Sequence, residues 1–185
     1  MPHSIIQQIQ TFQLVLDQIP EIRYVGDPVL RQIAHPATHE EGIAIGNRMK
    51  TVLQKYRALT GLGRGLAAPQ IGESKSVFIT FTDDRFSTFI NPKIVEKSDQ
   101  TNFYKELCMS VGIMAADVER PDWIVMEWTD ENNLTKSEKF DGFMARLYQH
   151  EVAHLHGRLN LDDAIPGGVE FVTFDPLKET LRSTR

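Results

Sequence analysis

The sequence predicts a single-domain α+β fold, and three observations carry that reading. Its 185 residues suffice for one core and contain no repeat, low-complexity stretch or linker. Segments rich in β-branched and aromatic residues follow one another across short turns, as antiparallel strands do. The clearest helical pattern comes late, after those strands, which separates helix from sheet along the chain instead of alternating them.

Residues 4–17 place Ile5, Ile6, Ile9, Phe12, Leu14 and Leu16 near helical spacing, with glutamines between, so a short amphipathic helix is expected before Pro20. It lacks the basic residues of a membrane anchor and is expected to pack on the domain surface. A second helix is expected from about Glu40 to Leu59, through Ile45, Met49, Val52, Leu53 and Tyr56. The run GLGRGLAAPQIG (61–72) then reads as a tight loop, rich in glycine and interrupted by Pro69. Strands are expected at 76–81, 86–97 and 123–130, with a return at 134–140 after the turn DENN. The last helix runs through DGFMARLYQHEVAHLHG, with Asp141 as its cap and Gly157 as its stop.

Composition narrows the function. A net charge of −5 argues against a generic nucleic-acid binder, so no DNA partner is expected. A single cysteine removes any internal disulfide and fits a reducing compartment. No apolar run is long enough to span a bilayer, so no membrane partner is expected, and the N-terminus lacks a basic lead and a cleavage site.

The chemistry concentrates in two places. His150-Glu151-Val152-Ala153-His154 on a helix puts two imidazoles at i and i+4 on one face, able to share one metal ion. Glu151 between them is placed to take and give protons. Phe143 and Leu147 continue the same stripe, at offsets that set them one and two turns before the histidines. The third ligand must come from elsewhere, and Cys108 is the candidate. A Cys/His/His site leaves the fourth position of a tetrahedral ion open for water, as a hydrolase requires. His156 falls about 200° around the helix from His154 and is expected to face away.

Taken in order, GRGLAAPQIG (63–72), ELCMS (106–110) and QHEVAHLHG (149–157) resemble the peptide deformylases, whose corresponding motifs are GxGLAAPQxG, EGCLS and QHExDHLxG. Asp27-Pro28-Val29-Leu30-Arg31, Asn91-Pro92 and Arg120-Pro121 extend the likeness over about residues 23–165. The resemblance implies residues 1–21 as an N-terminal helical extension and 22–185 as the catalytic domain, with antiparallel sheets around the metal-bearing helix. It implies removal of formyl from the formylmethionine of nascent polypeptides, releasing formate. Cys108, His150 and His154 would hold one divalent ion, natively ferrous iron, with zinc, nickel or cobalt as substitutes. Glu151 would move the proton. The Gln70 amide and the Met109 backbone N–H would donate to the formyl oxygen. Phe143 and Leu147 would line the methionine pocket, and the backbone at Arg64 and Gly65 would pair with the peptide. The partners implied are formylmethionyl peptides, with transient ribosome contact. The compartment implied is the cytosol, or an organelle in a eukaryote.

Three positions depart from the pattern. Leu107 replaces the glycine before the cysteine and is expected to narrow the groove or change its backbone angles; Ala153 replaces the helix aspartate; Met109 replaces a leucine of similar volume. Two other readings stand beside the first: a paralogue that binds metal and peptide N-termini with weak turnover, and a zincin-type endopeptidase in which an acid such as Glu170 supplies the third ligand.

Overall fold

A computed structural model of the chain describes residues 4–184. Met1 to His3, at the start of the expected extension, and Arg185 lie outside the described residues. The first helix, α1 (Ile5–Gln18), starts at Ser4 with a reciprocal cap between Ser4 and Gln7. Its packed stripe is not the one the glutamine spacing suggests. Val15 and the following Ile19 are buried, while Ile6, Ile9, Leu14 and Leu16 stay exposed. Phe12 lies edge-on to Tyr24, and its ring abuts the site where Gly112 would carry a Cβ.

Helix α2 (His39–Thr60) begins at a second capping box, Thr38 with Glu41, and stops at the left-handed Gly61. Its glycines have a packing cause. A Cβ on Gly42 would stand 2.5 Å from Ile90 Cδ1, so the helix lies directly on the sheet beneath it.

That sheet has five antiparallel strands in the order β1 (Gly65–Ala67), β2 (Val77–Thr82), β3 (Arg85–Lys97), β6 (Trp123–Thr129), β7 (Thr135–Asp141). The glycine-rich run is therefore more than a loop. It holds β1 and a 3-10 turn, Ala68–Ile71, and both are almost wholly buried. The expected turn at DENN is present, with Asp130 accepting from Asn132 N and Leu134 N. Asn91 bends β3 with φ of 51°, and its amide bonds both polar groups of the Ala37 backbone. Edge strand β7 carries the solvated Lys136–Lys139 run, and Lys139 Nζ sits 3.9 Å over the Trp123 ring.

The resemblance implies more than one antiparallel sheet, but the residue pattern does not mark the strands of the second. It has three strands in the order β4 (Thr101–Leu107), β5 (Met114–Pro121), β8 (Ala164–Phe171). Its inward side chains include Asn102, Glu106 and Arg120, all buried, so the usual sign of a half-buried strand is inverted; Asp117, opposite Lys105, is buried on the other face against Arg182. Helix α3 (Gly142–Leu155) runs between the two sheets. Phe78, Phe89, Trp128 and Tyr148 stack in the apolar cluster on one side. On the other, Arg146 donates to Glu106 and to Asn102. Asp141 occupies the cap position of α3, but its side chain makes no capping bond; its backbone is engaged as the last residue of β7, opposite Trp123.

Candidate metal centre and active site

Strand β4 and helix α3 assemble the site from both sides. Side chains alternate along a strand, so Glu106 and Cys108 project to the same side of the β4 run. On α3, the i, i+4 spacing brings His150 and His154 together facing them. His154 Nε2 lies 3.2 Å from His150 Nε2 and 3.4 Å from Cys108 Sγ. An ion held at about 2.3 Å from sulfur and 2.05 Å from nitrogen sets tetrahedral edges of about 3.6 and 3.3 Å. The three donor atoms, all within 4.8 Å of one another, therefore fit one ion. Among the described residues this is the single such cluster of His, Cys and acids. Glu170, the alternative acid, is ion-paired with Lys105 on the outer sheet instead.

The two imidazoles are pushed in opposite directions. Burial holds His154 well below the usual imidazole range, hence neutral. His150 is pushed the other way: burial opposes its proton, but Cys108 and Glu106 hold it there. Nδ1 of His150 lies 2.9 Å from Glu106 Oε2, which fixes the ring and leaves Nε2 turned toward Cys108 and His154.

Glu106 is the functional residue that motif reading passed over. Burial works to raise its carboxyl, yet the charge and hydrogen bonds of Arg120, with those of His150, hold it well below the usual carboxylate range. Arg120 grips it through Nε at 2.7 Å and Nη2 at 2.8 Å, a two-pronged contact. Arg146 adds a third bond at 2.7 Å. Arg120 continues to Asp163, which also pairs with Arg158. The signal was available: an acid two residues before a ligand cysteine on a strand must share its face.

Glu151 is 3% exposed, and burial pushes its carboxyl up to about 7. Its Oε2 has no hydrogen-bond partner among the described residues. Gly65 packs against it so closely that a Cβ would stand 2.1 Å from Glu151 Oε1. Gln70 is fixed by the 3-10 turn: Oε1 accepts from Ala67 N at 2.8 Å, which turns Nε2 toward Ser110 Oγ at 3.1 Å and Cys108 Sγ at 3.4 Å. Ser110, the last residue of ELCMS and given no role there, therefore helps orient the amide.

A cavity of about 800 Å³ opens in front of these groups. Cys108, His150, Glu151, Gln70 and Met109 line its floor. His154 lies behind them, 1% exposed. Phe143, Leu147 and Leu107 give the cavity apolar wall, and Arg64 lies with its guanidinium carbon 4.9 Å over the Phe143 ring. Leu107 has an ordinary strand backbone paired with Ala115, so its replacement of glycine changes the wall and not the backbone angles. Ala153 faces a different cavity, beside Arg120 and Asp163. His156 is exposed and faces away as expected, at the C-cap just past the end of α3.

Comparison with known proteins gives consistent results. A family model described as polypeptide deformylase matches residues 19–168. The chain is 34% identical over 167 residues to a peptide deformylase of Pseudothermotoga lettingae, covering 90% of this chain and 95% of the relative. It is 36% identical over 147 residues to one from Dictyoglomus thermophilum, covering 80% and 94%. Among solved structures, the peptide deformylase of Thermus thermophilus superposes with a TM-score of 0.71 at 31% identity, over 80% of this chain and 86% of that one. The Synechococcus elongatus enzyme in complex with actinonin gives 0.69 at 31% identity, over 78% of each chain.

Proposed function

The chain belongs to the polypeptide deformylase family, and from that premise we propose which of its residues carry the family's reaction. The activity is hydrolysis of the formyl amide of N-formylmethionyl peptides, releasing formate. The observation that carries the assignment of residues is the convergence of Cys108 Sγ and the two histidine Nε2 atoms beside a buried Glu151 oxygen that has no partner among the described residues.

Cys108, His150 and His154 would hold one divalent ion, ferrous iron in the native protein, with zinc, nickel or cobalt able to substitute. Such an ion supplies a Lewis-acid centre that brings the pKa of water near neutrality. Glu151 accepts the proton that water gives up and passes it to the leaving amine; a carboxyl near 7 suits both halves of that transfer. As the formyl carbon becomes tetrahedral its oxygen turns negative, and Gln70 Nε2 and Met109 N–H donate to it. Losing one such donor costs about 3 kcal/mol in the barrier. Gln70 reaches this role pre-aimed, because Ala67 N holds the other end of its amide.

Phe143 and Leu147 receive the methionine side chain, with Leu107 narrowing the approach. Phe81 N bonds Arg64 O, so the next residue, Gly65, presents its backbone to the groove, where a peptide can pair as an added strand. Recognition through backbone leaves residues after methionine loosely read. No helix among the described residues is long and apolar enough to cross a membrane. A cytosolic site of action, with transient ribosome contact, completes the proposal.

The test is formate release from formyl-Met-Ala-Ser by anaerobically purified protein, with metal measured on the same sample. Glu151→Gln should abolish release while retaining the ion. Wild-type release from that variant would remove Glu151 from the mechanism.

A further inference from the structure

The peptide groove is bounded at its far end by this chain's own C-terminal segment, which lies beyond residues 19–168 matched by the family. Pro176, Leu177 and Glu179 line the same cavity as Cys108 and His150. The segment is pinned at two levels. Phe103 N donates to Arg182 O at 2.7 Å, and Arg182 N to Phe103 O at 3.0 Å. The Arg182 guanidinium pairs with Asp117 at 2.6 Å and with Glu179 at 3.6 Å.

The register of that bridge is informative. Both polar groups of Phe103 point away from β5, so by alternation those of Lys105 and Leu107 do too. They form one open lane along β4, leading back from the metal ligand Cys108. A peptide with its formyl end at the metal runs down this lane antiparallel to β4. Residues 180–182 run antiparallel to β4 as well, because Arg182 pairs with Phe103 in that sense. The tail thus lies where downstream substrate residues would continue. From Leu107 to Phe103 is four residues, about 13 Å of strand, and Pro176 and Leu177 of the turn Pro176–Lys178 line the same cavity as Tyr104 and Leu107.

We propose that residues 175–182 form a specificity element that occupies the downstream strand lane of the groove, so that formylmethionine and about two further residues pair with the protein. Later residues of a longer chain leave toward solvent. This rests on the deformylase reading for the direction of the peptide.

The experiment compares kcat/KM for formate release from formyl-Met-Ala-Ser and from a formylated hexapeptide with the same start. The hosts are the intact chain, a chain ending at Thr173, and Arg182→Pro, which removes both the backbone donor and the guanidinium anchor. In the intact chain the hexapeptide-to-tripeptide ratio should lie near one. In both altered chains it should rise about fivefold, as residues four to six gain backbone pairing. A ratio that is unchanged in both overturns the proposal, as does a ratio already well above one in the intact chain. Calorimetric binding of the unformylated tripeptide and hexapeptide to the same three proteins repeats the comparison without turnover. Absence of formate from both peptides with metal bound would count against the deformylase reading alone, since the binding ratio still decides the role of the tail.

Discussion

Gly65→Ala tests the catalytic geometry with a single methyl group. The added Cβ would stand 2.1 Å from Glu151 Oε1, 2.6 Å from Cδ and 3.0 Å from Cγ. Ordinary contact begins near 3.4 Å, so the carboxylate oxygen must retreat by about 1.3 Å or β1 must shift by as much. Glu151 is 3% exposed, and its neighbours leave little room for either. Misplacement of a catalytic group by about 1 Å can cost about 100-fold in rate. Overpacking of this kind also costs about 1–3 kcal/mol of stability. The expected result is a kcat for formate release at least about 100-fold lower, with metal content unchanged, because the three atoms nearest the new methyl all belong to Glu151 and none to a ligand. Kinetics, metal analysis and a thermal melt on the same preparation separate the two effects. Wild-type kcat in a well-folded Gly65→Ala protein would refute the placement of Glu151 against β1 and, with it, the need for glycine there.

Other outcomes follow from the same contacts. Glu106→Gln should weaken metal affinity about 10–100-fold by loosening the hold on His150, measured as the chelator concentration that halves occupancy. The Glu106 carboxyl is held well below its ordinary value of 4.5, so its contribution to stability is full above about that pH and is lost as pH falls toward the folded-state value. Acid titration of the folded state should therefore show a destabilisation near and below pH 4.5 that is smaller in Glu106→Gln. Asp163→Ala strips one partner from buried Arg120 and should cost about 1.5–3 kcal/mol in urea unfolding; a change under about 0.5 would mean that Glu106 alone satisfies the guanidinium. Removing the ion should lower the melting temperature, and an excess of zinc should restore it by mass action.

Where side chains advertise their environment, the sequence is readable. His150, Glu151 and His154 sit in one helical motif whose spacing fixes their geometry, Cys108 and Gln70 are marked by the resemblance of their segments to known motifs, and the first sheet shows apolar residues where the core lies. The second sheet is illegible for a physical reason. TNFYKEL and MAADVERP bury Asn102, Glu106, Asp117 and Arg120, and a buried ion network looks like a solvated loop to any reading based on hydrophobic periodicity. Helix α1 fails more subtly: its apolar residues surround the axis, and contact with Tyr24 and Gly112 selects the Phe12–Val15 side. The tail along Phe103 is set by backbone pairing, which leaves no imprint on residue type.

Helix α3 is attached to its two neighbours by unlike forces. Toward the five-stranded sheet it presents Leu147, Tyr148, Val152 and Leu155 to stacked aromatic rings. Toward the three-stranded sheet it offers Arg146 and the two histidines to carboxylates, amides and a thiol. The two halves should therefore open as separate cooperative units under different stresses. Low pH and chelation should release the strands around Cys108 first, and hydrogen exchange would register that release in Asn102 to Val118 while amides of Val77 to Ile90 remain protected. Loss of the ion in a living cell would then expose one sheet of a half-folded protein, a species suited to reloading if metal returns and to proteolysis if it does not.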